Sequence, residues 1–278
     1  MYQEFFSQHN NTTQFQISRI NHLETLIVFF HGIGDSHLNF TCFFESPQLE
    51  QYDLFVADLL GHGRSSTAQN HTIATQVEAL AIRLIPLVAQ YKTVIFVPHS
   101  MGGIHATLLA ANPLAHNVKG IFAIETSMTQ YGSFIARRVS DAIAKDTLFS
   151  EFFHGFCDEI YRHAGPDSAI FRRYYAGLQF VRESTFLENA LEMYALSTAL
   201  KQAIFTNKMG EIFATLPIPK AYCLGDTGQQ IPSIPFLIQN GIQIEYFNTN
   251  CHWVAQACFD DFCCRLNAFI QRLQATNG

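Results

Sequence analysis

The sequence predicts an α/β protein: a mostly parallel, twisted sheet with helices on both faces and an inserted all-helical segment. Three observations lead there. Continuous apolar runs alternate with segments of helical period, as expected of parallel strands covered on both faces. Polar and small residues gather directly after each run. Strand-like runs then vanish between about Thr126 and Leu216.

Phe15 to Ile20 alternates with period two and reads as the first strand. Thr25-Leu26-Ile27-Val28-Phe29-Phe30, Asp53-Leu54-Phe55-Val56-Ala57 and Thr93-Val94-Ile95-Phe96-Val97 are continuous apolar runs and read as buried strands. Val77, Leu80, Ala81, Leu84 and Val88 recur at helical spacing between the last two, with Thr75-Gln76-Val77-Glu78 as a capping box and Pro86 as a kink. Val118 to Ile124, Ala221 to Leu224 and Ile242 to Tyr246 supply three more strands. A final helix carries Phe262, Leu266, Phe269, Ile270 and Leu273 on one face. Strand, helix, strand, helix means a parallel sheet with crossovers.

The intervening segment shows helical stripes instead: Ile170, Phe171, Tyr174, Tyr175, Leu178 and Val181, then Leu187, Leu191, Tyr194 and Ala195. Residues 1–126 and 217–278 are therefore expected to form the sheet domain, and 127–216 a helical cap. Most of its phenylalanines (Phe134, Phe149, Phe152, Phe153, Phe156, Phe171, Phe180, Phe186, Phe205 and Phe213) are expected to pack the cap on itself and on the sheet. Any left over would roof an apolar cleft.

At 278 residues, with 48% hydrophobic and 14% charged residues, the chain can bury a large core and is neither disordered nor a charged solenoid. A net charge of −6 without a Lys/Arg stripe gives no support to nucleic-acid binding. No apolar run reaches the roughly 20 residues that span a bilayer, and the start of the chain lacks a basic-then-apolar leader pattern, so a cytoplasmic protein without membrane insertion is expected. The seven cysteines lack C-x-x-C spacing and are expected to be reduced, with no metal or cofactor site. Cys251 reads as a small apolar filler.

Val97-Pro98-His99-Ser100-Met101-Gly102-Gly103 places a serine at the apex between a strand and a helix. A hydroxyl there is lifted clear of the backbone and faces the unpaired N–H groups of a helix N-terminus. Proline stands where the usual G-x-S-x-G pattern has its first glycine. Ser100 can be read as a nucleophile or as a simple helix cap. Other chemistry-bearing residues fall after other strands: His31-Gly32-Ile33-Gly34-Asp35, Asp58 to Ser65, Glu125, Gly225-Asp226, and Asn248 to His252. Ligands of parallel sheets bind at that edge. Asp58 and Gly61-His62-Gly63 read as loop builders, His99 as pointing into neighbouring structure, and Asp35 as a group at the mouth that could meet a polar part of a substrate.

His31-Gly32-Ile33-Gly34, Asp58 to Ser65, His99 to Gly103, Gly225-Asp226 and His252 before the last helix resemble, in that order and over nearly the whole chain, the α/β-hydrolase superfamily. The resemblance implies Ser100 as nucleophile, His252 as base and Asp226 as the acid that holds it. Glu125 is the alternative acid, because some members take it from the strand after the nucleophile. It also implies an oxyanion hole from the backbone N–H groups of Ile33 and Met101, whose side chains, with Trp253, would contact the substrate. The implied activity is serine hydrolysis, through an acyl-enzyme, of a small to medium apolar carboxylic ester or thioester. Carbon–carbon bond hydrolysis, acyl transfer, or small-ligand reception with incidental hydrolysis remain alternatives, and the oligomeric state, monomer or dimer, stays open.

Overall fold

The computed structural model describes residues 2–9, 11–163, 168–198, 208–226 and 231–276. Among them one sheet contains eight strands: β1 (Gln3–His9), β2 (Thr12–Arg19), β3 (Thr25–Phe30), β4 (Asp53–Ala57), β5 (Thr93–Pro98), β6 (Val118–Ile124), β7 (Lys220–Leu224) and β8 (Gln243–Tyr246). The order across the sheet is β1-β2-β4-β3-β5-β6-β7-β8. β1 pairs antiparallel with β2, and β2 with β4; every pairing from β4 to β8 is parallel.

Each central strand splits its side chains between two cores, as alternation across a pleat requires. Leu26, Val28, Phe30, Val94, Phe96, Ile121 and Ala123 face one. Ile27, Phe29, Ile95, Val97, Phe122 and Ile124 face the other. The first core is closed by α2 (Ile73–Val88) and α3 (Gly102–Ala110), the second by α1 (Thr41–Phe44) and α11 (Phe259–Thr276). Phe262, Leu266, Phe269, Ile270 and Leu273, the stripe expected of the last helix, are all buried there. This double burial explains why the strand sequences read as unbroken apolar runs.

β1 was not expected from the sequence. It is an edge strand whose Phe5 and Phe6 are exposed, so burial imposes no clean alternation on it. The signal that could have found it is the asparagine pair at 10 and 11 between His9 and Thr12, which pair across the hairpin. Asn11 takes a positive φ of 30°. α2 also begins earlier than expected, because Thr72 and not Thr75 is the cap: its hydroxyl accepts from Thr75 N at 3.1 Å. Pro86 lies in the last turn of that helix, where it removes the bond its N–H would give to Ile82 O but leaves only two helical residues beyond it.

Between β6 and β7 run α4 (Phe134–Ala144), α5 (Phe149–His163), α6 (Ala169–Phe180), α7 (Glu183–Thr198) and α8 (Lys208–Thr215), with no strand among the described residues. Phe149, Phe152, Phe153, Phe156 and Phe186 pack ring against ring in this segment. Phe205 lies outside the described residues. α6 carries the expected stripe, with Tyr174 and Leu178 buried; on α7 the expected stripe holds in part, since Leu187 and Tyr194 pack against the core half-buried and Leu191 is exposed, while Phe186, Ala190 and Met193 are the residues fully buried. The two candidate stripes on α7 are each spaced at i, i+3 or i+4, and only packing chooses between them. The remaining helices, α9 (Ile234–Gln239) and α10 (Val254–Ala257), flank β8. No described helix is long and apolar enough to cross a membrane.

α2 and α3 meet through a buried polar contact, His105 Nε2 to Gln76 Oε1 at 2.9 Å. Burial pulls His105 down to about 4 and lowers His62 and His99 strongly as well. Groups held neutral in the fold but free to protonate when unfolded contribute stability that is complete above about pH 6.5 and lost as pH falls toward the folded pKa. For His105 alone this loss reaches about 3 kcal/mol near pH 4. Denaturant titrations between pH 7 and pH 4 should therefore show a shallower fall in unfolding free energy for His105→Gln than for the wild type.

Candidate active site

The turn after β5 holds Ser100 at a φ of 51°, a left-handed backbone that a serine adopts at a cost of order 1–3 kcal/mol. Surrounding contacts enforce it. Ser100 N donates to Ile124 O at 3.1 Å, Gly102 N to His99 O at 2.9 Å and Gly103 N to Ser100 O at 3.0 Å, and α3 starts at Gly102. A Cβ at Gly102 would come within 2.5 Å of Phe30 O, and one at Gly103 within 2.5 Å of the Thr126 side chain. These two glycines let helix, strand and neighbouring loop converge beneath the serine. Pro98 fits because it closes β5 opposite Phe30, and the bond back to Phe30 O comes from His99 N.

The loop after β3 lies directly against this turn: a Cβ on Gly32 would stand 3.0 Å from Ser100 Cβ and 3.5 Å from its Oγ. His31 organises that loop. Leu59 N donates to His31 Nε2 at 3.0 Å, so the ring proton sits on Nδ1, which donates to Gly32 O at 2.8 Å. Asp35 N donates to the same carbonyl at 3.3 Å. Because a peptide is planar and trans, fixing the Gly32 carbonyl turns the Ile33 N–H to the opposite side. Neither Ile33 N nor Met101 N makes a hydrogen bond among the described residues. Tyr174 on α6 donates to Ile33 O at 3.1 Å, tying the inserted helices to this loop.

His252 stands on the loop after β8. Its Nδ1 hydrogen-bonds Glu125 Oε2 at 2.8 Å, and Glu125 Oε1 accepts from Gly225 N at 3.0 Å. The expectation that Asp226 would answer the histidine is not met. Asp226 is exposed, and its backbone N–H is spent on Thr249 O. Glu125 is only 1% exposed and follows β6 with a positive φ of 39°, a bend beside the turn that holds Ser100. β6 neighbours β5, whereas Asp226 tops β7, one strand farther from the serine. The alternative acid named from sequence is thus the one placed against His252.

With a carboxylate on Nδ1, the ring proton resides there and Nε2 presents a lone pair. That Nε2 is shielded from solvent and has no partner among the described residues. His99 Nε2 donates to His252 O at 3.2 Å, and its ring lies 4.6 Å from that of His252. Sequence reasoning sent His99 into neighbouring structure without identifying this support. Burial, then the adjacent His252, hold His99 well below the ordinary histidine range.

Asp35 departs from its expected place at the mouth. It is 1% exposed, accepts from Ser36 N and Asn39 Nδ2, each at 2.7 Å, and receives Trp253 Nε1 at 3.3 Å. Burial pushes its carboxyl upward. Its work is to seat Trp253 rather than to meet solvent. Asp58 is a loop builder as expected, accepting from His37 N at 2.7 Å and Arg64 N at 2.9 Å. Ile33 and Met101 are buried, and Trp253 lines a cleft of about 200 Å³ with His252 and Cys251. Burial raises the Cys251 thiol, which opposes thiolate formation. All seven cysteines are free, and no group of three or more metal-ligating side chains converges among the described residues.

Residues 25–211 match the family model for the alpha/beta hydrolase fold, and the chain belongs to that family. Solved structures agree on the fold. A protein from Burkholderia cenocepacia described as an aryl esterase superposes with a TM-score of 0.73 at 17% identity, covering 98% of this chain and 100% of that one. A structure from work on carboxylesterases of Nitrososphaera gargenis gives 0.72 at 13% identity, covering 99% and 100%. The enol-lactonase from Burkholderia xenovorans LB400 gives 0.70 at 15%, covering 96% and 99%. No curated protein matches the sequence.

The histidine–carboxylate geometry has a direct spectroscopic consequence. The Nδ1 proton of His252 should give a downfield ¹H resonance, protected by its bond to the carboxylate. Glu125→Ala should abolish it and Asp226→Ala should leave it in place. The reverse outcome would return the role to Asp226.

Proposed function

We propose that the protein is a serine hydrolase acting on a small to medium apolar carboxylic ester, with Ser100 as nucleophile, His252 as general base and Glu125 as the acid that orients it. Ser100 Oγ attacks the acyl carbon while His252 Nε2 takes its proton. The carbonyl oxygen becomes an oxyanion between the N–H groups of Ile33 and Met101, where each donor of this kind is worth about 2.7–4 kcal/mol in the transition state. His252 returns the proton to the departing alcohol oxygen as the carbon–oxygen bond breaks. Water, deprotonated by the same nitrogen, then releases the acid and restores Ser100. A thioester would follow the same steps with sulfur as leaving atom.

The observation that carries this reading is the Glu125–His252 bond of 2.8 Å, which leaves a buried and unpartnered Nε2 on a ring 4.6 Å from that of His99, the residue before a serine of positive φ. A helix cap alone would need neither the strained serine nor the buried pair. The esterase and lactonase names of the structural neighbours agree with it, at identities that speak for fold. The helical stretch 127–216 is the cap in this proposal: Tyr174 holds the Ile33 carbonyl, and Gly177 packs where a Cβ would lie 2.9 Å from Gly34 O.

A fluorophosphonate probe should label the wild-type protein at Ser100 and leave Ser100→Ala unlabelled, with kcat on nitrophenyl acetate falling by at least about 10⁴-fold. Labelling at another residue, or retained turnover, would overturn the proposal. Glu125→Gln should lower kcat by about 10³- to 10⁴-fold, because the histidine loses the partner that sets its tautomer. Asp226→Asn should change it by less than about 3-fold, measured as steady-state rates on folded protein.

A further inference from the structure

We propose that His99 is a positioning residue for this reaction: with its ring proton on Nε2, it ties the backbone of His252 to the turn that carries Ser100. The inference rests on the serine-hydrolase reading above and adds to it a residue that acts through the base.

His252 arrives on the loop after β8, and β6 and β7 stand between that strand and β5, so its place relative to Ser100 is set by contacts across the sheet edge. His252 makes two of them itself. Its ring Nδ1 meets Glu125 Oε2 at 2.8 Å, and its backbone oxygen accepts from His99 Nε2 at 3.2 Å. The bond at Nδ1 alone would leave the residue free to rock about that contact; a second bond, at the backbone, removes this freedom. His99 is a firm anchor. Its N–H donates to Phe30 O and its carbonyl accepts from Gly102 N, each at 2.9 Å, and it bridges Ile124 in parallel register. Because Ser100 is the next residue, the base is held to the nucleophile's own turn.

The partners of the His99 ring decide its tautomer. A backbone carbonyl only accepts, so the proton sits on Nε2. Nδ1 is then a bare lone pair, buried and without a partner among the described residues; a Cβ on Gly32 would lie 3.4 Å from it. The opposite tautomer would turn a lone pair on the His252 oxygen and bury an Nδ1 N–H with no acceptor. A ring protonated on both nitrogens would bury the same N–H. It would also place a cation 4.6 Å from the ring that becomes imidazolium when Ser100 gives up its proton. Burial, then the adjacent His252, keep His99 well below the ordinary histidine range, so the neutral form persists while His252 gains and loses its proton.

The test compares His99→Phe, which keeps a ring beside His252 and removes the donor, with His99→Gln, which returns an amide N–H near the Nε2 position. A displacement of a catalytic group by about 1 Å can cost about 10²-fold, so His99→Phe should lower kcat on nitrophenyl acetate, and the rate of fluorophosphonate labelling at Ser100, by about 10- to 100-fold. KM should stay within about 3-fold, because the lost contact touches no substrate. The downfield His252 resonance should remain, which separates this loss from collapse of the Glu125 pair. His99→Gln should recover both rates to within about 5-fold of the wild type. Ring ¹⁵N shifts of the wild type at neutral pH should show His99 protonated on Nε2 alone. Unchanged rates in His99→Phe, a loss confined to KM, disappearance of the His252 resonance, a glutamine no better than phenylalanine, or a His99 proton on Nδ1 would each overturn the inference. If His99→Phe does not fold, His99→Met, of similar reach and without a donor, replaces it in the comparison. Equal labelling of the wild type and the donor-free variant sinks the inference alone. If the wild type is not labelled at Ser100, the serine-hydrolase reading falls and takes the inference with it.

Discussion

The hydrogen bond between His252 Nδ1 and Glu125 Oε2 joins parts of the chain 127 residues apart and sets the geometry at the carboxyl edge of the sheet. Glu125 is buried, and its second oxygen is occupied by Gly225 N, so one carboxylate ties the ends of β6 and β7 to the loop after β8. A buried hydrogen bond to a charged group contributes about 1.5–3 kcal/mol, so losing the histidine would weaken the hold on the carboxylate by that order. The pair consequently acts both as a clamp between loops and as the device that fixes the histidine tautomer. Its position at the end of β6, adjacent to β5, brings the histidine back across β7 toward the serine turn.

Around this pair lies a second layer of polar groups, each satisfied in a way that points a neighbour. His31 links the β4 loop to the Gly32 carbonyl and so aims the Ile33 N–H. His99 holds the His252 carbonyl, and Asp35 holds the Trp253 indole. Tyr174 reaches from α6 to the Ile33 carbonyl, so the inserted helices and the sheet share one hydrogen-bonded framework. Buried polar groups are expensive unless paired, and here the pairing fixes the orientation of the groups gathered at this edge of the sheet.

Most of the sheet was legible in the sequence because parallel strands covered on both faces must be continuously apolar. The runs at Thr25–Phe30, Asp53–Ala57 and Val118–Ile124 coincide with β3, β4 and β6. β1 was not, since an exposed edge places few demands on its side chains. The face of α7 was also ambiguous, because Leu187-Leu191-Tyr194 and Phe186-Ala190-Met193 satisfy the same helical period. Which set turns inward depends on what packs opposite it, and local periodicity carries no such information.

The sequence by itself determined the alternation of strands and helices, the serine at a strand-to-helix apex with Gly102 and Gly103 behind it, and the gathering of polar residues after the strands. These features are local: each follows from period, turn chemistry or the steric needs of a few consecutive residues. Tertiary structure decided which carboxylate meets His252, because Glu125 and Asp226 both follow apolar strands and differ only in where those strands stand in the sheet. It likewise moved Asp35 from an expected surface role to a buried support for Trp253, and brought Tyr174 to the Ile33 carbonyl. Partners separated by more than 100 residues are chosen by strand order and packing, which one-dimensional spacing does not encode.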